Sequence, residues 1–287
     1  MPARSWRLLA ISALVLAVAA VGYVWVMARS TAQLDRKYPY AVWTAPAAAD
    51  PAAVANGEHL VTVTACGVCH GKDLTGHRQM VGGAPIFAPN LIRSARKLTD
   101  AEFERALRQG VARDGRSELA MPSYAYAAFT DAEVADVLAY LRSLPVQGGE
   151  PARGGPGLRT RLAMAVGAYR LQADRVAQRK PLLDAGPAFA PGRHLAAVAC
   201  GQCHGADLAG GRGYLGPDLT VDGYYDREHF RHLLRTGNGR SEHDLGVMAL
   251  TAVSNFSHFS DPEIDAIYAY LLQRDHLLVA ASHKAKP

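Results

Sequence analysis

A five-residue motif that occurs twice constrains this chain more than any other feature of its sequence. Two cysteines separated by two residues, with a histidine directly after the second, stand at Cys66–His70 and again at Cys200–His204. These motifs hold all four cysteines of the 287-residue chain, so no cysteine remains for a separate disulfide framework. The duplication predicts two similar units, each built around the same small set of chemical groups.

The residues around each motif are repeated too, in the same order and about 130 residues apart. The matched segments are Gly57–Leu60 with Gly192–Leu195, Asp73–Leu74 with Asp207–Leu208, Pro89–Leu91 with Pro217–Leu219, Gly115–Glu118 with Gly239–Glu242, and Ala139–Leu141 with Ala269–Leu271. This period is too long for a solenoid repeat, and each copy has an ordinary domain size. We therefore expect two homologous domains, at residues 50–145 and 191–287, joined by a connector at residues 146–190.

The chemistry of the motif points to a covalently attached haem. Two thiols three positions apart on a helical turn can add to the two vinyl groups of one haem, and the next histidine then lies beneath the iron. A thioredoxin-like redox pair needs neither the histidine nor a second copy, and a zinc site joining both motifs would have too many ligands for a tetrahedral ion. The sequence therefore predicts two haem c groups, held by Cys66, Cys69 and His70 and by Cys200, Cys203 and His204.

An electron-transfer haem needs a second axial ligand on the opposite side of the iron, and a methionine thioether suits that role. Met121 lies in the loop after the first Gly-Arg-Ser-Glu segment, and Met248 stands in the corresponding loop of the second copy. Met80 follows the first motif too closely and Met164 lies in the connector, so we expect both to serve in packing. The predicted iron ligands are thus His70, Met121, His204 and Met248.

Four other histidines need an assignment. His243 and His258 flank Met248 and are alternative ligands for the second iron. His59 and His194 occupy the same position in the two copies, one helical stretch before the cysteines. We expect them to cap a helix or to pack, rather than to take part in redox chemistry.

The N-terminus carries a long uncharged stretch, from Leu8 to Ala28. At about 1.5 Å per residue, a helix of this length spans the roughly 30 Å hydrocarbon core of a bilayer. Signal peptides have a shorter apolar region, of about 7–15 residues, which favours an uncleaved signal anchor over a cleaved signal or a buried helix. We expect residues 1–30 to form this anchor and residues 31–49 to be a linker. Arginines on both sides of the stretch leave its orientation open.

Each copy is expected to consist of helices joined by long loops. Capping boxes begin helices at Thr99–Glu102 and Thr130–Glu133 in the first copy and at Ser260–Glu263 in the second. No stretch has the alternation typical of a β-strand, so we expect a mainly α fold. The loops of about 25–30 residues after each motif are long for a compact domain, and a large cofactor would give them a surface to pack on.

The connector is the basic part of a chain whose formal net charge is +5. Residues 151–190 hold seven Lys and Arg against two Asp and Glu, whereas both copies are slightly acidic, which argues against nucleic acid as a partner. One helix is expected over Leu158–Asp184. Its cations form either a docking strip for an acidic partner or anionic lipid, or the solvated face of a helix clamped between the domains.

The order of these motifs resembles that of class I c-type cytochrome domains. Both copies have Cys-x-x-Cys-His, Pro-Asn/Asp-Leu, Gly-Arg-Ser-Glu, a methionine loop and a C-terminal Ala-Tyr-Leu helix in the family order. The whole chain is similar to membrane-anchored dihaem cytochromes c, including the cytochrome subunits of periplasmic dehydrogenases. The second copy departs from the family pattern, because no proline follows Met248.

This resemblance implies a transmembrane helix followed by two tandem class I cytochrome c domains. It also implies that the haems are attached on the periplasmic side of a bacterial inner membrane, with the N-terminus in the cytoplasm. Membrane contact is then made through the N-terminal helix. The remaining partners are redox proteins, one that donates electrons and one that accepts them.

An electron carrier, rather than an enzyme, is the favoured function. Each haem would carry one electron between a dehydrogenase or respiratory complex and a terminal acceptor. The main alternative is a haem-bearing subunit fixed in a larger dehydrogenase or oxidase complex. A dihaem peroxidase is a weaker alternative, because it needs an open iron with an acid–base group beside it, and two methionine ligands would close both irons.

Overall fold

The computed structural model describes residues 2–44, 50–81, 84–150, 154–211, 214–240 and 245–284. The chain begins with a long helix, α1 (Pro2–Leu34), which contains the uncharged stretch. Its residues Trp6–Leu34 are long and apolar enough to cross a membrane, and large apolar side chains such as Leu8 and Val21 stand exposed along it. A helix with so much uncovered apolar surface fits a transmembrane segment.

The C-terminal end of α1 packs on the connector helix α8 (Leu158–Ala165). Arg29 Nε and Gln33 Nε2 donate to two carbonyl groups in the last turn of α8, at 2.9 and 3.0 Å. Ser30 is fully buried at this contact, and its hydroxyl accepts a hydrogen bond from Arg161. The last turns of α1 therefore belong to the folded part of the chain.

The first domain is built mainly from short helices. They are α2 (Pro51–Val63), α3 (Cys66–His70), α4 (Leu91–Lys97), α5 (Asp100–Glu104) with a π-helical extension (Arg105–Gln109), α6 (Ser123–Tyr126) and α7 (Asp131–Ser143). Helices α5 and α7 begin at the predicted capping boxes, where the hydroxyls of Thr99 and Thr130 accept from the backbone three residues on. Leu60, Ile92 and Leu138 lie in the core between α2, α4 and α7.

The first domain also contains a β-hairpin, so the expectation of no strands was wrong. Strands β1 (His77–Val81) and β2 (Ala84–Ala88) pair antiparallel, and each residue of β1 lies opposite a residue of β2. Two glycines join the strands in the sequence, which is a known hairpin signal. The signal is hard to read because Pro85 interrupts the alternating pattern and has no N–H for the ladder.

The second domain repeats the helical plan. Its elements are a 3₁₀ turn (Pro187–Phe189), α10 (Ala190–Leu195) with a π-helical extension (Ala196–Cys200), α11 (Gly201–His204), α12 (Arg227–Thr236), α13 (Val247–Ser254), a second 3₁₀ turn (Phe256–His258) and α14 (Asp261–Lys284). Helix α14 begins at the predicted capping box, where Ser260 and Glu263 bond reciprocally. Ile264, Ile267 and Tyr270 on this helix are fully buried in the core. The mainly α fold class is thereby confirmed.

One glycine in each copy allows the first and last helices of the domain to cross at close range. A Cβ on Gly57 of α2 would lie 2.0 Å from the Asp136 carbonyl oxygen of α7. A Cβ on Gly192 of α10 would lie 1.9 Å from the Ala266 carbonyl oxygen of α14. Any larger side chain would push these helices apart, so the repeated glycine marks the same crossing in both domains.

The connector differs from the single helix expected over Leu158–Asp184. It forms two short helices, α8 and α9 (Gln172–Ala177), because Gly167 adopts a φ of +77° and ends α8. Two of its cations are used inside the protein. One arginine of α8 bonds to α1, and the Arg175 guanidinium lies 4.1 Å from the ring centroid of Tyr124. These contacts favour a clamped connector over a free docking strip.

The two domains meet through a pair of equivalent contacts. His59 Nε2 of the first domain lies 2.8 Å from Glu263 Oε1 of the second. His194 Nε2 of the second domain lies 2.7 Å from Glu133 Oε1 of the first. The two histidines are matched in the sequence repeat, and both glutamates end a capping box, so the interface has approximate twofold symmetry. These histidines, expected only to cap or pack, bridge the domains.

The His59–Glu263 pair contributes to stability in a defined pH window. The hydrogen bond with Glu263 raises the pKa of His59 above 6.5, so its contribution is complete below about pH 6.5 and is lost as the pH rises through the raised value. Burial raises the pKa of Glu263, but hydrogen bonds from His59 and Ser260 outweigh burial and hold the pKa below 4.5. The contribution of Glu263 is therefore present above about pH 4.5 and is lost as the pH falls further.

We expect His59→Ala to lower the free energy of unfolding by about 1 kcal/mol near pH 5.5, because the pair is partly exposed. Near pH 8.5 the loss should be much smaller, because His59 is then neutral in the wild type as well. Urea unfolding at the two pH values measures the difference, with the exposed His232→Ala as a control. Equal losses at both pH values would contradict a charged contact.

A second prediction concerns the end of α1. A chain that starts at residue 25 keeps the contacts of Arg29, Ser30 and Gln33 with α8, whereas a chain that starts at residue 39 loses them. We expect the shorter chain to unfold at lower urea concentration, with a loss of about 1–3 kcal/mol, because it exposes Met164 and leaves buried polar groups unpaired. Equal midpoints for the two chains would show that the whole of α1 is only a tether.

Candidate functional site

The first cysteine motif forms a separate short helix. Helix α2 ends at Val63 with Thr64 as its C-cap, and Ala65 adopts a left-handed conformation with φ 56°, which redirects the chain into α3. Cys66 and Cys69 are free thiols on this helix. Burial raises the pKa of Cys66 to about 11, although the Thr64 hydroxyl partly opposes the shift. The thiol is therefore neutral, and it lies against the apolar core of the first domain.

The histidine of each motif is oriented by a prolyl carbonyl. The distance from His70 Nδ1 to the Pro89 oxygen is 2.8 Å, and the distance from His204 Nδ1 to the Pro217 oxygen is also 2.8 Å. A carbonyl oxygen only accepts, so Nδ1 carries the proton in both rings and the Nε2 lone pair is left for a metal. Burial lowers the pKa of both histidines, which keeps them neutral.

The second motif begins at the last residue of a π-helical turn, and a glycine packs against its histidine. A Cβ on Gly216 would lie 2.6 Å from ring atoms of His204, so only glycine fits there. Burial raises the pKa of Cys200 to about 12. Burial also raises the pKa of Cys203, and the Cys69 thiol of the first motif raises it further.

The repeated Asp-Leu segment shapes the loop after each histidine. Leu74 and Leu208 both adopt positive φ, at 60° and 59°. The carbonyl of each accepts a hydrogen bond from the leucine of the Pro-Asn/Asp-Leu segment, Leu91 and Leu219, at 2.9 Å in both domains. Each loop thus returns to the histidine of its motif, and its proline orients that histidine. The same individual hydrogen bonds occur in both domains.

The two methionines chosen from the sequence lie on the same cores as the cysteines. Met121 is partly buried against the first core together with Cys66, and Met248 is partly buried against the second core together with Cys200. Met121 stands in a bend before a proline, as expected. Met248 does not stand in a loop but in the first turn of α13, whereas Met121 lies in the bend that precedes α6.

The other candidate side chains are placed differently. Met164 is fully buried in the connector helix α8, which agrees with a packing role, and Met80 lies in β1. His258 is exposed in the 3₁₀ turn before α14 and is not part of the second core. His243, the other alternative ligand, lies outside the described residues.

The donor set fits a haem c in each domain. Each unit combines two free thiols on one helical turn, a neutral imidazole with an available Nε2 and a thioether against the same core. Over the described part of the chain, no three His, Cys, Asp or Glu side chains converge as a site for a bare metal ion.

Comparison with protein families agrees with this chemistry. Residues 54–145 match the family model described as cytochrome c, and residues 187–271 match the model described as cytochrome c oxidase, cbb3-type, subunit III. The chain is therefore a c-type cytochrome. Cytochrome c domains imply covalently bound haem c with iron and a role in electron transport. No curated protein matches the chain.

The two methionines can be tested as distal ligands one at a time. We expect Met121→Ala and Met248→Ala each to remove about half of the weak far-red absorption that ferric His/Met haem gives in cytochromes c, because each leaves one iron without its thioether. Visible spectroscopy of the oxidised protein measures the loss. Met164→Leu, at the buried connector methionine, is the control and should leave the band intact. A full-intensity band in Met248→Ala would assign that ligand elsewhere.

Proposed function

We propose that the chain is a membrane-anchored dihaem electron-transfer protein whose two domains lie in the periplasm. Each domain holds one haem through its two cysteines and its histidine, with Met121 and Met248 as the distal ligands. Haem iron bound at these residues supplies one-electron chemistry, because it is stable in both the ferrous and the ferric state. The protein passes single electrons between a donor and an acceptor protein.

The observation that carries this proposal is that the same site is built twice. In each domain a histidine Nδ1 bonds to a prolyl carbonyl at 2.8 Å, and the loop between them closes through the same backbone hydrogen bond. A site needed once would not keep this geometry in two copies that have diverged elsewhere. The repetition supports two redox centres of the same type.

The surrounding residues support a carrier over a peroxidase. In each imidazole Nδ1 donates to a prolyl carbonyl and Nε2 is the proposed iron ligand, so neither nitrogen is left for acid–base chemistry. Thioether ligands from Met121 and Met248 favour ferrous iron and occupy the position that a peroxide would need. The chain then transfers electrons without binding a small substrate.

A fixed subunit of a larger membrane complex is the second candidate, and one observation favours it over a freely swinging carrier. The described residues just after α1 are held to the folded domains. Arg36 pairs with Asp174 of the connector, and the Tyr38 hydroxyl donates to the same carboxylate at 2.9 Å. Trp43 is buried in the first core. These contacts of Arg36, Tyr38 and Trp43 would hold the connector and the first domain next to the end of α1.

We expect two haems per chain to remain bound after acid–acetone extraction, because thioether bonds survive that treatment whereas haem b is released. The double variants C66A/C69A and C200A/C203A should each retain one. The pyridine haemochrome assay counts the haems on protein purified in mild detergent. Free haem in the extract, or one haem in the wild type, would contradict the proposal.

The same preparation distinguishes the alternatives. A carrier with closed irons should not bind carbon monoxide in the reduced state, whereas an open peroxidase iron should. Stable co-purification of a dehydrogenase or oxidase would assign the chain as a subunit.

A further inference from the structure

The second cysteine motif reaches into the first domain through one side chain. Gln202 stands between Cys200 and Cys203 on α11. Its Nε2 donates to the Thr64 carbonyl at 2.7 Å, and its Oε1 accepts from the Tyr126 hydroxyl at 3.0 Å. Thr64 precedes the first motif by two residues, so a single amide bridges the residues that flank the two haem attachment sites.

Helix α6 completes the bridge from the other side. The Tyr124 hydroxyl donates to the main-chain oxygen of Gln202 at 2.6 Å. A Cβ on Gly201 would touch the Ala125 Cβ at 3.4 Å, so α6 and α11 pack closely against one another. Helix α6 begins two residues after Met121. One short helix therefore connects the proposed distal ligand of the first haem to the attachment motif of the second.

These polar contacts are not a general feature of the repeat. The residue equivalent to Gln202 in the first motif is Val68, which is 46% exposed. The residue equivalent to Tyr126, four positions before the capping box of the last helix, is Phe256, which has no hydroxyl. The cytochrome fold does not require the bridge. The first domain forms its motif with Val68 in place of the glutamine, and the second domain forms its core with Phe256 in place of the tyrosine.

Further contacts between the domains surround the bridge. The pairs His59–Glu263 and His194–Glu133 hold the two domains on both sides of it. Asn255 Nδ2 adds a hydrogen bond to the Thr62 carbonyl at 2.9 Å. These contacts are spread over the interface and act together with Gln202 to set the relative position of the two motifs.

We propose that Gln202 is a positioning residue that locks the two haem attachment motifs together, and that its contacts with Thr64 and Tyr126 form the route for electron exchange within the chain. The inference rests on the proposed dihaem function. With a haem held at each motif, one electron would pass from the ferrous iron of one domain to the ferric iron of the other, with no proton or bond transferred. Electron tunnelling weakens steeply with distance and across gaps, so a bonded contact favours this route.

The test uses the full-length holoprotein with Gln202→Leu. Leucine keeps much of the side-chain volume but breaks the bridge at both Thr64 and Tyr126, so we expect exchange between the haems to slow by roughly tenfold. The rate is measured after photoreduction of a half-reduced sample. The circular dichroism couplet that two neighbouring haems produce in the Soret region should also shrink. The absorption spectrum and haem count should stay unchanged, which a general structural defect would not allow.

Two further comparisons make the test decisive. Tyr126→Phe removes a hydroxyl of the bridge, whereas Tyr268→Phe removes a hydroxyl that bonds within the second domain, to Tyr225. Only Tyr126→Phe should slow exchange. If Gln202→Leu loses haem, the comparison of Tyr126→Phe with Tyr268→Phe tests by itself whether the bridge carries the electron exchange.

Unchanged exchange and an unchanged couplet in the bridge variants would overturn the inference. A wild-type protein that carries two haems but exchanges no electrons between them would do the same. A wild-type protein with fewer than two haems would instead contradict the proposed function, so the two failures are distinct.

Discussion

Both sites depend on the hydrogen bond between a histidine Nδ1 and a prolyl carbonyl. The bond sets the tautomer and the orientation of each imidazole, and it ties the loop after the motif to the ring. It joins residues 19 positions apart in the first domain and 13 apart in the second. The longer first loop contains the β-hairpin, and yet the bond has the same length. Loop length is therefore free to vary as long as the proline returns to the histidine.

The interface between the domains combines symmetry with one departure from it. Two equivalent His–Glu contacts place the domains about an approximate twofold axis. In such an arrangement both domains use the same surface patch to contact each other. Between these contacts Gln202 and Tyr126 have no chemical equivalents at the matched positions. The two His–Glu contacts set the relative position of the domains. The contacts of Gln202 and Tyr126 occur at only one of the two motifs.

Local signals allowed much of the helical structure to be predicted. Capping boxes at Thr99, Thr130 and Ser260 depend on residues three apart, and the structure begins helices at each. The hairpin was missed because its glycine pair stands close to a proline that interrupts the strand pattern, and the break in the connector was missed because its signal is a single glycine. Met248 was expected in a loop by analogy with Met121, but the second copy forms a helix there.

The sequence by itself determined the attachment chemistry and the duplication, because two cysteines and a histidine within five residues need no distant partner to be recognised. Only the tertiary structure decided how the two motifs meet, which carbonyl orients each imidazole and what His59 contacts. Those contacts join residues far apart along the chain, 204 positions for His59 and Glu263 and 138 for Thr64 and Gln202. Their chemistry is ordinary at each position, so only the packing of two folded domains brings the partners together.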